Sequence, residues 1–330
     1  MKKSRLWRGI LAAVAACVLT LPVSASGEGE GVPSYQLIQR GSGFPIRVEG
    51  TVSELGKDSL TLENSQVEDG YRKIILNVTD QTWILDAKTG EARSFLEVAQ
   101  GDELCAWVGP AMTKSLPPVA AAAVLLIGPE EKETSPVYAE VQTVTKTTDG
   151  VDLSVTGDLV LHLKSDMSLL AAPGRETPEL TEIRPGTRLL SWHSAVALSM
   201  PAQAVPEKVL VFPYTYEGWV TVRGLSVAIN GEWQVFSGNA APQVEADRLM
   251  VPVRTLAETL GCSVSWEPYT NRVSVFQNGS ELYHFTIGGE QAVRGEVTVG
   301  LLVKTQAENG VTRMALDDFI SLQGLKLENG

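Results

Sequence analysis

Residues 74–108 align without a gap onto residues 159–193 of the same 330-residue chain. Leu76 and Val78 match Leu161 and Leu163, Phe95 and Val98 match Leu180 and Ile183, and Gly101, Leu104 and Trp107 match Gly186, Leu189 and Trp192. One deletion later Ser115-Leu116-Pro117 meets Ser199-Met200-Pro201. The matched positions are core-type residues and turn glycines, so the duplicated object is a folding unit. Ile46, Val48 and Val52 alternate with polar residues at the period of a half-buried strand, and Val137, Ala139 and Val141 open the second copy in the same way. Leu60 and Leu62, then Ile74, Leu76 and Val78, add strands, while Ser94 followed by Glu97 predicts a capping box for one short helical turn before Gly101. Each unit reads as five or six strands plus a turn, and the abundant Gly (30) and Pro (17) supply the connections. The expected fold class is mainly β: two tandem small barrel-like modules at 45–130 and 136–214, which look like barrels of the OB type. Trp107 and Trp192 are each expected to anchor the core of a separate module.

The apolar run Pro117 to Ile127 could suggest membrane insertion, but its counterpart, Pro201 to Phe212, contains Gln203, Glu207 and Lys208. A buried closing strand accounts for both. The loop from Gly109 to Pro118, with paired prolines and small residues, reads as a rigid connection rather than a ligand loop. Cys105 and Cys262 lie far apart in apolar, strand-like contexts with no CxxC partner, which predicts free buried thiols rather than a disulfide framework.

Residues 1–25 form a secretory signal: Lys2, Lys3, Arg5 and Arg8, an apolar stretch from Ile10 to Leu21, then small residues ending at Ala25. That apolar stretch is shorter than the ~20 residues that span a bilayer. A cut before Cys17, as in a lipoprotein, competes with the cut after Ala25, but the apolar run continues past the cysteine. Cleavage after Ala25 releases the polar, Gly-rich start of a flexible segment at 26–44 and leaves no transmembrane segment. It also removes four positive charges and no negative ones, which takes the net charge from −12 to −16. That sign argues against nucleic acid and anionic lipid headgroups as partners.

From about Gly218 the pattern changes. Val251-Pro252-Val253-Arg254, Leu256-Ala257-Glu258 and Leu260-Gly261 predict a two-turn helix with Val253, Leu256, Ala257 and Leu260 on one apolar face, Glu258 outward and Gly261 as the left-handed stop. Val264-Ser265-Trp266 and Arg272-Val273-Ser274-Val275 follow as strands, with Asn271 in the turn. With Ile287-Gly288, these segments resemble the signature of the copper amine oxidase N-terminal-like domain, also called the stalk domain. A second, degenerate copy runs from Met314 to Leu327, where Ala315 and Asp317 replace Pro252 and Arg254. The resemblance covers about residues 219–330, within a domain expected at 218–330, and implies an α+β domain, an antiparallel sheet wrapped round a helix, with no catalytic role.

The residues themselves provide no amine oxidase chemistry. An Asn-Tyr-Asp/Glu motif for the quinone and a His-x-His copper pair are both missing, and His162, His193 and His284 are isolated. Asp317-Asp318 at a helix start reads as macrodipole complementarity rather than an acid/base pair. No catalytic, cofactor-binding or metal residue is therefore assigned. The expectation is a secreted, non-enzymatic protein of the bacterial envelope, binding a cell-wall glycan or an extracellular protein, or spacing other parts; docking on an extracellular hydrolase is the alternative. A groove lined by Trp219, Trp233 and Trp266 would point to carbohydrate, a flat apolar patch to a protein.

Overall fold

The computed structural model describes residues 34–39, 44–64, 71–128, 136–197 and 199–328; the expected export signal, Cys17 and the expected cleavage site lie outside them. In the first module β1 (Ile46–Leu55), β2 (Ser59–Glu63) and β3 (Lys73–Asn77) form an antiparallel meander. Then come β4 (Trp83–Asp86), a 3-10 turn (Phe95–Glu97), β5 (Glu103–Met112) and β6 (Val119–Ile127). β5 bridges β1 and β6, and β6 closes onto β3 in parallel, with Ile75 opposite Val119. The module is thus a small closed β-barrel, a form that leaves no open sheet edge. The run once open to a membrane reading is this closing strand, buried along most of its length. Leu60, Leu62, Ile74, Leu76, Leu104 and Leu125 fill the interior.

The second module repeats the plan with β7 (Val137–Lys146), β8 (Gly150–Val155), β9 (Leu159–Lys164), β10 (Leu170–Ala171), a 3-10 turn (Leu180–Glu182), β11 (Arg188–Trp192), β12 (Ala202–Ala204) and β13 (Lys208–Val211). Register repeats too: Ile75 opposite Val119 becomes Val160 opposite Gln203, and Leu85 opposite Leu126 becomes Leu170 opposite Leu210. The N–H of Gly101 donates to the Val52 carbonyl, and that of Gly186 to the Val141 carbonyl, both glycines holding φ near +90°. One difference is local. The counterpart of β6 is split into β12 and β13, with Pro206, which has no N–H to give a ladder, in the gap.

The two tryptophans do not anchor separate cores. β5 is buried on both faces: Leu104, Ala106 and Val108 enter the barrel, while Cys105 and Trp107 point the other way. There they join Leu85, Ala87 and Leu126, and meet the equivalent residues Leu170, Ala172, Leu190, Trp192 and Leu210 of the second copy, with Tyr138 and Phe212 between. The modules are packed on each other through the same face, as in a two-fold dimer. The Trp192 indole N–H donates to the Ala87 carbonyl at 2.7 Å. Gly90 lies beneath the Trp192 ring, where a Cβ would come within 3.0 Å, so the close approach requires glycine. Burying side chains of this size stabilises by about 1.5–3 kcal/mol each, which makes this shared layer a core in its own right.

The C-terminal domain contains β14 (Gly218–Arg223), β15 (Ser226–Ile229), β16 (Glu232–Trp233), β17 (Gln243–Glu245), β18 (Arg248–Pro252), α1 (Val253–Thr259), β19 (Ser263–Glu267) and β20 (Arg272–Gln277). It continues with β21 (Ser280–Thr286), β22 (Gln291–Arg294), β23 (Val297–Gly300), β24 (Gln306–Glu308), β25 (Val311–Ala315), α2 (Leu316–Gln323) and β26 (Leu325–Leu327). Instead of one antiparallel sheet round a helix, three small sheets and two helices enclose the core: β16-β15-β14-β26, β17-β18-β25-β24 and β19-β20-β21-β22-β23. The degenerate copy explains the change, since β25–α2 repeats β18–α1 and the two strands pair directly, Val251 opposite Met314. Val253, Leu256 and Ala257 are buried as the periodicity predicts, Leu260 is half-buried, and Gly261 stops α1 at φ +74°.

Residues 34–39, part of the segment expected to be flexible, complete this core. Tyr35 and Leu37 are buried in it. The Gln36 N–H donates to the Asp247 carbonyl at 3.0 Å, and the Leu327 N–H donates to the Gln39 side chain at 2.6 Å. Alternation of Tyr35 and Leu37 with Gln36 gives the segment an apolar side, and the domain provides the place to bury it. Among the described residues no helix is long and apolar enough to cross a membrane.

Candidate functional site

A buried ionic joint ties the second module to the C-terminal domain. β7 and β11 place Glu140 opposite Arg188, and the parallel pairing of β26 with β14 sets Lys326 beside Trp219. The Glu140 carboxylate accepts from Lys326 Nζ at 2.9 Å, Arg188 Nε at 3.2 Å and the Tyr216 hydroxyl at 3.1 Å. Glu140 and Lys326 are both buried, so the pair withstands its desolvation only because each oxygen is hydrogen-bonded. Neighbouring Tyr138 is pushed up to about 12 by burial. Gly186 belongs to the same joint: a Cβ there would come within 2.7 Å of the Tyr216 ring.

Beside the joint is a cleft of about 740 Å³ with walls from both domains, in the size range of small-molecule sites. The Arg184 guanidinium lies 3.8 Å from the Tyr214 ring centre and 5.8 Å from that of Trp219. The Tyr214 hydroxyl shares its single proton between the Pro185 and Gly218 carbonyls, at 3.0 and 3.2 Å, which fixes the ring and spans the linker. Lys146 and Arg175 also line it, and among the described residues none of these three cations has an ion-pair partner. Of the carboxylates on the same walls, Glu182 is engaged by the Glu179 N–H and Glu328 by the Thr221 hydroxyl, while Glu176 is unengaged.

A second cleft, of about 390 Å³, lies in the C-terminal domain between the start of α1 and the β24–β25 hairpin, lined by Val253, Arg254, Trp266, Val273, Ile287 and Val311. It is mostly apolar. The structure therefore separates the tryptophans that one groove would have brought together: Trp219 lines the first cleft, Trp266 the second, and Trp233 stacks under Arg223 on the surface.

The histidines remain apart. His162 contacts Asp152 at 2.7 Å and Gln203 at 3.1 Å, and the Asp152 hydrogen bond raises its pKa. His284 contacts Glu281, and burial lowers the pKa of His193. Among the described residues no cluster of His, Cys, Asp and Glu could hold a metal ion. Cys105 and Cys262 are free and buried. Asp317 and Asp318 stand in the first turn of α2, as the sequence implies, but are buried and reach other segments: Asp317 accepts from the Ile38 N–H, Asp318 from the Leu302 N–H at 2.9 Å. Sequence reasoning missed the cleft cations. Comparing the copies would have found two of them, because Arg175 and Arg184 align with Gly90 and Ala99.

No curated protein matches the chain. A family model described as the copper amine oxidase N-terminal domain matches residues 228–328, within the segment whose sequence resembles the stalk domain.

Proposed function

We propose that this protein is an exported, non-catalytic module of a bacterial cell envelope that holds an envelope component against a rigid β-rich body. The observation that carries the reading is the welding of the parts: an apolar layer joins the two modules, an ionic joint fixes the second to the C-terminal domain, and Tyr35 and Leu37 are buried in that domain. Such a body fixes the spacing and orientation of whatever surface it presents. The stalk-domain likeness of the C-terminal third supports a non-catalytic role. Incubating the purified mature chain with isolated cell walls tests this: co-sedimentation that saturates is expected, and a chain that stays in the supernatant would overturn it. The apolar cleft beside Trp266 favours a second reading, docking on an extracellular enzyme. Retention on secreted proteins in place of cell walls would support that one.

A further inference from the structure

We infer that the cleft between the second module and the C-terminal domain is a binding site for a carboxylate-bearing glycan segment. The inference rests on the envelope-binding reading above and names its site.

Three observations lead there. First, the lining combines aromatic surface with unpaired positive charge. The Trp219 ring is half-buried, and no described residue accepts from its indole N–H. An aromatic face of this kind suits the C–H face of a sugar ring, and its N–H suits a hydroxyl. Arg184, stacked on Tyr214, keeps its N–H groups free, because stacking uses the face of the guanidinium and leaves its edge. Such an edge matches a carboxylate in bidentate geometry.

Second, three cations without ion-pair partners gather in one place. The chain as a whole is acidic, at −12, whereas in this cleft the exposed Lys146, Arg175 and Arg184 equal in number the carboxylates Glu176, Glu182 and Glu328. An anion that enters can therefore pair with a cation edge that no described carboxylate of the protein occupies.

Third, the duplication contains its own control. The first module keeps the structural residues of this region, Val98 for Ile183 and Gly101 for Gly186, but has Gly90 and Ala99 where the second has Arg175 and Arg184. Only the copy that abuts the C-terminal domain carries the cationic side chains. Barrel architecture alone therefore does not demand them. The walls are set by the Glu140 joint and by the Tyr214 hydrogen bonds, so the site is preformed and little ordering is required on binding.

Calorimetric titration of the mature chain tests the assignment, with two probes: disaccharide-peptide fragments of peptidoglycan, which bear carboxylates, and chitotetraose, which has a similar amino-sugar backbone and none. The fragments are expected to bind, chitotetraose at least 10-fold more weakly, and added salt to weaken the fragments further. Arg184→Ala and Arg175→Ala should each reduce fragment affinity at least 10-fold with unchanged melting, whereas Trp266→Ala in the other cleft leaves it intact. Trp219→Phe, which keeps the ring but not the N–H, gives a smaller loss. Equal binding of the two probes would overturn the carboxylate assignment. If cell-wall binding persists in the arginine variants, or is lost in Trp266→Ala instead, the cleft is the wrong site while envelope binding stands. If neither probe nor intact cell wall binds the wild type, both readings fall.

Discussion

The two joints of this molecule are made of opposite materials. Between the modules the joint is apolar and built from matched residues, Trp107 with Trp192 and Leu85 with Leu170. Between the second module and the C-terminal domain it is a carboxylate gripped by Lys326, Arg188 and Tyr216. An apolar layer is non-directional and gains stability with area, whereas a buried ion pair contributes little net stability but penalises wrong arrangements. The comparison teaches that the first joint makes two barrels cohere, and the second sets an angle beside which a cleft can form. It also exposes the two faces of the repeat: Gly186 is covered by Tyr216, while the space over its equivalent Gly101 is open.

The sharpest way to break the comparison is to remove apolar area from the first joint. Trp192→Ala should cost about 3–5 kcal/mol and lower the unfolding midpoint of both modules together in a denaturant titration. Next, Glu140→Ala strips the partner from two cations and should cost about 3 kcal/mol. Glu140→Met combined with Lys326→Met should recover part of that loss, since only Arg188 is then left without its carboxylate. If the double variant is as unstable as the single one, the charges stabilise the joint rather than orient it.

A third buried charge sharpens the contrast because it is poorly partnered. Burial pushes the Asp317 carboxyl up to about 6, although it accepts from the Ile38 N–H and lies 3.6 Å from Arg248. The folded state therefore binds the proton more tightly than the unfolded chain, whose Asp titrates near ~3.9. Its contribution to stability is fullest below about pH 4 and is lost as pH rises through about 6. Asp317→Asn keeps an acceptor for the Ile38 N–H. It should stabilise the C-terminal domain by about 2 kcal/mol at pH 8 and flatten its melting profile over this window. The smallest effect belongs to Glu258→Ala on the outer face of α1. Its pairing with Arg254 at 3.4 Å is exposed, and melting should shift by no more than about 0.5 kcal/mol of stability.

Much of this was legible in the sequence where one residue type serves one local purpose. Ser94 and Glu97 form the capping box, the Glu97 carboxylate accepting from the Ser94 N–H at 2.6 Å. Val253, Leu256 and Ala257 are buried at helical spacing. The orientation of Trp107 was not legible, because strand period assigns a face but not what covers it. Leu104-Cys105-Ala106-Trp107-Val108 is a continuous apolar run, a pattern that signals burial on both faces, and that signal outranked the analogy between the tryptophans. Tyr35 and Leu37 were obscured by the Gly-rich stretch before them, and their partners lie about two hundred residues away. The cleft could not be read from either copy alone, since it exists only where the second meets the C-terminal domain.

The central claim is that the duplicated units form one cooperative body through the face they share. Native-state hydrogen exchange on Trp107→Ala tests it most directly. The account predicts that amides of β5 and β6 in the first module and of β11 and β13 in the second lose protection together. Exchange that rises in the first module alone, with β11 and β13 as protected as in the wild type, would contradict it.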